Sequence, residues 1–345
     1  MGLRSYVITR ILLTIPTLLL LLSMVFLVMR VLPGDPVALH FEKKASQSQM
    51  DEMRHILGLD KPLWGQYADY ILGLVDVNYF LAHGYPNLGK SMQTYEEVGG
   101  QVFSAFPATL ELAIYSMIIA CMIGILLGVV ASKSYNSVLD HAIRGFGTVT
   151  YAIPVFFLGI VFQLIFGVYL HWLPTGLRIN PNITPPTTIT GLYTIDSLLE
   201  GNFTKFLESL KALVLPSLTL GLILSGIFIR LTRTNMLETL RLDFVTAAKA
   251  RGLRETTVTY GYALRNAFLP ILTMMGLQFA LLLGGAILTE TTFSWPGLGR
   301  YIVTRINFRD YTAIQGAVVM FGVFVALVSL VVDILYAYFD PRIRL

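Results

Sequence analysis

Residues 84–91 carry a pattern that is typical of nucleotide chemistry. They read GYPNLGKS and fit GxxxxGK[ST], in which backbone N–H groups and the lysine hold phosphates. Such a loop works only between a strand and a helix whose N-terminus faces the phosphate. Here only about fifteen residues separate Ser91 from Pro107, where an apolar run opens. We therefore interpret the match as accidental and predict no ATP site in this chain.

Five polar side chains stand within or beside long apolar runs, where polar groups are costly and often functional. They are Glu111, Glu290, Asp333, Gln163 and Gln278. Glu111 and Glu290 are near the ends of their runs, where water can reach them, and Asp333 could pair with Arg342 or Arg344. We favour structural pairing for the three acids over substrate contact. Gln163, Gln278 and Glu290 are candidates for lining a pathway, and no catalytic residue is predicted.

The composition predicts a protein whose main solvent is a lipid bilayer. Hydrophobic residues make up 55% of the 345 residues and charged residues 13%, whereas soluble proteins carry about 25% charged residues. Cys121 is the single cysteine and the five histidines are scattered, so a metal site is not predicted. The net charge of +4 is typical of basic residues retained beside the cytoplasmic face, and we do not assign it to nucleic acid.

Six runs are long enough to cross about 30 Å of hydrocarbon as helices. They are 11–29, 109–131, 145–170, 213–229, 270–289 and 314–339. None contains Lys or Arg, and none alternates as a barrel strand would, so an all-α bundle of six transmembrane helices is predicted. Pro154 should kink the third run. Gly124 and Gly128 permit close helix contact, which we assign to packing within the subunit.

The charge pattern predicts that both termini face the cytoplasm. With this orientation the inner segments 1–10, 132–144, 230–269 and 340–345 hold 13 of the 25 Lys and Arg residues in 69 positions. The outer segments are about twice as long and hold the other 12, and long outer loops weigh little in orientation. The short outer loop with Arg300, Arg305 and Arg309 disagrees with the rule.

The inner segment 230–269 is too long for a tight connector and contains seven basic residues. Asp243 could N-cap a short helix that begins at Phe244, and Lys249 and Arg251 would suit its last turn, with Gly252 as the left-handed residue beyond. A helix of about two turns is unstable alone in water and must dock on something. Small residues such as Ala248 permit close approach to a partner, with Phe244 as an anchor. A basic interfacial helix on anionic lipid explains the charges equally well.

The run 243–252, DFVTAAKARG, and the later ALRNAFLP at 263–270 resemble the EAA loop of bacterial and archaeal ABC importer permeases. The resemblance implies that 231–269 is a cytoplasmic coupling loop whose short helix sits in a groove of an ATPase subunit. Thr246 stands where the wider superfamily has Glu, and the gap before Leu269-Pro270 is longer, as in the peptide-permease branch. The implied coupling residues are Asp243, Phe244, Thr246, Ala247, Ala248, Lys249, Arg251, Gly252 and Leu253.

Further segments resemble the B-type permease subunit of dipeptide and oligopeptide importers of the peptide/nickel family. They are LPGDP at 32–36, LGLDKPLW at 57–64, FPATLELA at 106–113, TET at 289–291, WPGLGR at 295–300, RDY at 309–311 and DPRIR at 340–344. The match covers almost the whole chain, taken as one permease domain of the type I importer fold, and leaves the outer loop 171–212 unassigned.

The resemblance implies a transport subunit of a prokaryotic cytoplasmic membrane, with no cofactor of its own. Implied partners are a second, similar permease, two ATPase subunits that bind ATP and Mg²⁺, an extracytoplasmic binding protein, a di- or oligopeptide and membrane lipid. Nickel complexes, haem and oligosaccharides are alternative cargoes within the family, and an ion-coupled secondary transporter is the rival class.

The outer segment 30–108 either meets the binding protein or is a lid on its own helix ends. Within it, residues 51–75 read as one amphipathic helix packing through Ile56, Leu57, Leu63, Tyr67 and Ile71.

Overall fold

The computed structural model describes residues 3–31, 37–38 and 46–339, which form a bundle of helices. The helices are α1 (Leu3–Val31), α2 (Gln47–Ile56), α3 (Leu63–Leu74), α4 (Val77–His83), α5 (Val98–Lys133), α6 (Val138–Ala152), α7 (Val155–Phe162), α8 (Tyr193–Leu199), α9 (Phe203–Thr239), α10 (Asp243–Ala250), α11 (Leu264–Gly285), α12 (Ile287–Thr292), α13 (Leu298–Asn307) and α14 (Tyr311–Phe339). Two π-helical segments, Gln163–Tyr169 and Thr257–Ala263, continue α7 and precede α11. No strand forms within the described ranges, which confirms the all-α prediction.

Within the residues that the structure describes, five helical stretches are long and apolar enough to cross a membrane. They are Val7–Arg30, Val98–Lys133, Phe203–Thr239, Thr257–Leu283 and Tyr311–Ile334. A sixth span results if α6 and the stretch Val155–Tyr169 are counted together. These six coincide with the six apolar runs, although the helices extend beyond the runs at most ends. Two stretches of the predicted resemblance, 32–36 and 340–344, lie outside the described residues.

The third span is broken rather than merely kinked. The two halves meet at an angle of 100° at Pro154, which is not helical itself. Ile153 before it has the extended backbone φ −75°, ψ 129°, because the proline ring disfavours a helical conformation at the preceding residue. The polypeptide therefore changes direction within the bundle at this position.

The core of the bundle is the contact between α5 and α9. Gly124 lies so close to Phe228 that any side chain at position 124 would overlap the Phe228 Cβ atom. A Cβ atom at Gly128 would lie 2.6 Å from Thr232 Cβ. Small residues at this spacing let two helix backbones approach within the subunit, as predicted. Phe228 is completely buried as a result.

α1 packs along α14 at the edge of the bundle. Leu21 fits against Gly322, and near the other end Arg10 pairs with Asp333 at 3.1 Å. Arg10 is thus a partner of Asp333 that was not predicted. The expected partners, Arg342 and Arg344, lie outside the described residues, so their pairing with Asp333 stays a prediction. Most of α1 is exposed on the side turned away from α14, as lipid contact requires.

The predicted helix over 51–75 is two helices, α2 and α3. Gly58 between them has φ +65°, and Pro62 then caps α3 with an extended backbone. A left-handed glycine followed by a proline ends one helix and starts another, which a hydrophobic pattern alone does not reveal. Of the predicted packing positions, Ile56 and Leu63 are mostly exposed, while Leu57 packs beside Met53.

Candidate functional site

α10 is the short helix predicted in the 231–269 loop. It begins at Asp243, with Leu242 as the N-cap, so the expected capping role of Asp243 is wrong. Leu242 has an extended backbone and its side chain makes no capping bond, and the Asp243 carboxylate instead stands in the first turn, where it suits the helix dipole. The predicted end is correct, since Gly252 has φ +73° directly after the cap residue Arg251.

One face of α10 packs against other residues of the same 231–269 loop. Val245 and Ala248 are buried with Val258, and Leu240 and Phe244 pack around them. Val258 belongs to the π-helical segment that leads into α11, so the cluster joins α10 to the following span. Phe244 is half-buried and contributes to this seat.

The opposite face of α10 is exposed and carries small or polar side chains. Asp243, Thr246, Ala247 and Ala250 lie at i, i+3, i+4 and i+7, which places them on one side of the helix. The other exposed coupling candidates, at and beyond its C-terminal end, are Lys249, Arg251, Gly252 and Leu253. A flat face of this kind admits close approach of another protein surface.

Two ion pairs connect the neighbourhood of α10 to the bundle. Arg233 near the end of α9 makes a bidentate pair with the completely buried Asp140 of α6, at 2.6 and 2.7 Å. Asp140 also accepts a bond from the backbone N–H of Asn136 at 2.9 Å. Lys133, the last residue of α5, lies 3.2 Å from Glu255 after α10. The ends of α5, α6 and α9 that lie nearest the 231–269 loop are thereby held to one another and to the loop.

The three pathway candidates make different contacts within the described residues. Gln163 donates through Nε2 to the carbonyls of Thr175 and Thr292, at 2.5 and 3.0 Å, and so fastens the loop after α7 to α12. Gln278 in the middle of α11 is half-buried, and its amide lies 3.6 Å from Met274 Sδ. Gln163 and Glu290 are near the same end of the bundle, whereas Gln278 lies apart from them.

Glu290 is completely buried in α12, and the expectation that water reaches it is wrong. Its carboxylate accepts from Thr109 Oγ1 at 2.6 Å and from the Arg300 backbone N–H at 2.9 Å. Gly297 contacts the same carboxylate so closely that a side chain there would collide with it. Burial raises the pKa of Glu290 to about 7, although these hydrogen bonds act in the opposite direction. The residue joins α5, α12 and α13 at this end of the bundle.

Glu111 is also buried, and it organises residues 171–202, which are most of the segment 171–212 that the sequence left unassigned. Its carboxylate pairs with Arg178 at 2.7 Å and accepts from the Thr194 backbone N–H at 2.8 Å. Arg178 in turn donates to the Gly191 carbonyl at 2.6 Å and stacks over Tyr193. Structural pairing was predicted for Glu111, but nothing in the sequence identified its partner, 67 positions away.

The GYPNLGKS segment does not have the geometry of a phosphate-binding loop. It follows helix α4 instead of a strand, and the next helix begins only at Val98. Lys90 lies 3.7 Å from Glu97, and Ser91 donates to Asp310 at the start of α14. The Ser91 hydrogen bond therefore fastens this segment to the start of α14.

Fold and site together define a polytopic membrane subunit with a short, half-exposed helix in the segment between two spans. Residues 124–345 match the model of the binding-protein-dependent transport system inner membrane component, and residues 3–113 match its N-terminal companion. The chain belongs to this family. It is therefore a multi-pass permease component of an ABC importer, a system that works with partner permease, ATPase and substrate-binding components.

Similar proteins align along the whole chain. The dipeptide transport system permease protein of Alkalihalophilus pseudofirmus is 40% identical over 340 residues, 99% of each chain. The di/tripeptide transport system permease protein of Pseudomonas aeruginosa is 40% identical over 343 residues, 99% of this chain and 98% of that one. The glutathione transport system permease protein of Escherichia coli is 36% identical over 340 residues, 99% of each chain.

Proposed function

We propose that this chain is the B-type permease of an importer that carries dipeptides and other short peptides into the cell. The observation that carries the substrate class is the end-to-end similarity to permeases named for dipeptide, di/tripeptide and glutathione transport. Dipeptides, tripeptides and glutathione are all short peptides.

The proposed assembly contains a second, similar permease, two ATPase subunits and an external binding protein. ATP and Mg²⁺ belong to the ATPase subunits. The charge distribution supports an orientation with both termini and α10 in the cytoplasm, because the segment 230–269 alone holds seven of the basic residues. The outer ends of α5, α12 and α13 then face the binding protein.

The coupling role rests on the two faces of α10. Its exposed face, with Thr246 and Ala247, is the proposed seat in an ATPase groove, and its buried face transmits force to the chain. A push on α10 passes through Val245 and Ala248 to Val258, and so into α11. It passes through the short connection after Thr239 into α9. Closure of the ATPase pair would rock these spans as a unit.

A reconstituted importer tests the cargo and the energy source together. The ATPase rate of the complex in proteoliposomes is measured with the binding protein and with a dipeptide, glutathione, a nickel complex, haem or an oligosaccharide. We expect stimulation by the peptides. Stimulation by a non-peptide cargo alone would contradict the proposed substrate, and uptake that survives ATP depletion but collapses with the ion gradient would contradict the class.

A pair of variants tests the proposed docking face. Ala247→Arg places a long charged side chain on the exposed face of α10, where it would obstruct a close protein contact, while Ala247→Ser keeps the side chain small. We expect Ala247→Arg to lower ATPase subunit retention during purification by at least tenfold and Ala247→Ser to leave it unchanged. Full retention in Ala247→Arg would show that this face does not dock.

A further inference from the structure

α3 and α4 expose an unusual amount of apolar side chain for a segment outside the main spans. Neither helix has a fully buried residue. The exposed apolar side chains are Leu63, Trp64, Leu72, Val75, Val77, Phe80 and Leu81. Exposed apolar side chains concentrated in one short segment indicate contact with a membrane or another protein.

The depth of α3 follows from its contacts with α1. Tyr67 Oη lies 2.7 Å from Ser23 Oγ, and Tyr70 Oη donates to the Leu22 carbonyl at 3.4 Å. The Phe26 ring packs against both tyrosines, at 5.2 and 5.6 Å between centroids. The apolar span of α1 ends at residue 30, and Ser23 precedes that end by seven residues, or roughly 10 Å along the helix axis. The tyrosines of α3 therefore lie within the depth of the apolar span.

The contacts with α14 give the same depth. Tyr70 and Gln315 line the same cavity, and Gln315 lies one turn inside α14, a helix whose apolar span begins at Tyr311. Leu21 of α1 meets Gly322 of α14, so the two long helices are in matching register beside α3. Two independent neighbours thus place the middle of α3 below the end of the spans.

The polar groups of α3 are satisfied within the protein. Gln66 donates through Nε2 to the carbonyls of Leu59 and Lys61, at 3.3 and 2.8 Å, and Asp69 pairs with Lys61 at 2.6 Å. Asp76 between α3 and α4 caps α4 by accepting from the Tyr79 backbone N–H at 3.0 Å. Asp69, Asn78 and His83 remain exposed, so the apolar side chains cover one part of the surface of α3 and α4. That part suits contact with acyl chains.

We propose that α3 and α4 form an interfacial hairpin whose exposed apolar side chains lie among the acyl chains of the leaflet at the C-terminal end of α1. In the proposed orientation this is the outer leaflet. An interfacial helix places its apolar face about 5–10 Å into the boundary between headgroups and acyl chains, the same depth that the α1 contacts give. Trp64 at the start of α3 then stands at headgroup level, where tryptophan is favoured. The hairpin anchors α1 in the bilayer.

Spin labels at four sites of similar exposure test the proposal. Leu72→Cys and Leu81→Cys report on the hairpin, Leu20→Cys on the middle of α1, and Tyr95→Cys on the loop before α5; the four side chains are 64%, 76%, 68% and 60% exposed. Each is made with Cys121→Ala, which removes the buried native thiol. The whole importer is placed in nanodiscs of phosphatidylcholine and phosphatidylglycerol, and collision rates with oxygen and with a water-soluble nickel chelate are compared.

We expect the labels at 72 and 81 to resemble the one at 20, with oxygen collisions dominant, at a shallower depth of about 5–10 Å. Nickel collisions like those of the label at 95 would place the hairpin in water and overturn the proposal. Low collision rates with both reagents would mean that another protein subunit covers it, which also overturns the proposal. The depth measurement does not depend on transport, so it stands whether or not the importer carries peptides.

Discussion

Ala248→Asp is expected to unseat α10 from its own loop. Ala248 is 3% exposed and packs in an apolar cluster with Val245, Val258 and Leu240. A carboxylate placed there loses its hydration without a partner, at a cost of about 3 kcal/mol. An eight-residue helix has little stability of its own, so this cost falls on the docking of α10. The opening equilibrium of the segment should rise about a hundredfold.

Amide hydrogen exchange of residues 243–252 in the purified permease pair measures this opening. Ala250→Asp is the matched control, because it places the same charge on the exposed side of the same helix. The control also includes the unfavourable effect of an acid near a helix C-terminus. We expect faster exchange in Ala248→Asp only. Unchanged exchange together with normal peptide uptake in Ala248→Asp would refute the assignment of Val245 and Ala248 as the seat.

Three further substitutions have outcomes set by the structure. Arg233→Met leaves Asp140 buried without its partner and should cost about 3–5 kcal/mol of stability. We expect a lower midpoint of thermal unfolding, which a second substitution, Asp140→Asn, partly restores; an unchanged midpoint would contradict the pairing. Gly124→Leu should destabilise the fold through overlap with Phe228, while Gly145→Leu, which meets open space, should not; equal effects would contradict the α5–α9 contact. Because the pKa of Glu290 is raised, its contribution to stability is complete below pH 4.5 and is progressively lost as pH rises through about 7. Glu290→Gln should therefore reduce the pH dependence of the thermal unfolding midpoint between these pH values. An unchanged pH dependence would contradict the burial of Glu290.

The spans were predictable because a bilayer imposes a simple rule on long segments. Uninterrupted apolar runs of about 20 residues have to become helices in lipid. Proline and glycine chemistry was equally readable, since Pro154 breaks its span and Gly252 ends α10 in the left-handed conformation. These features depend on residues close together in the chain.

The features that were missed depend on distant partners or on competing local signals. Arg178 finds Glu111 through folding of the loop 171–202, and Asp333 finds Arg10 because α1 packs along α14. Both capping by Asp243 and a single helix over 51–75 were reasonable local predictions. They failed because Leu242 already adopts the extended cap conformation and because Gly58 and Pro62 interrupt the hydrophobic pattern.

In the proposed assembly the exposed face of α10 sits against an ATPase subunit on the cytoplasmic side. Ala247→Cys, made with Cys121→Ala, allows that face to be labelled with a membrane-impermeant maleimide in inside-out vesicles. We predict slow labelling when the ATPase subunits are bound and fast labelling after they are stripped. Labelling at the same rate in both states, or labelling from the outer side of intact cells, would contradict the account.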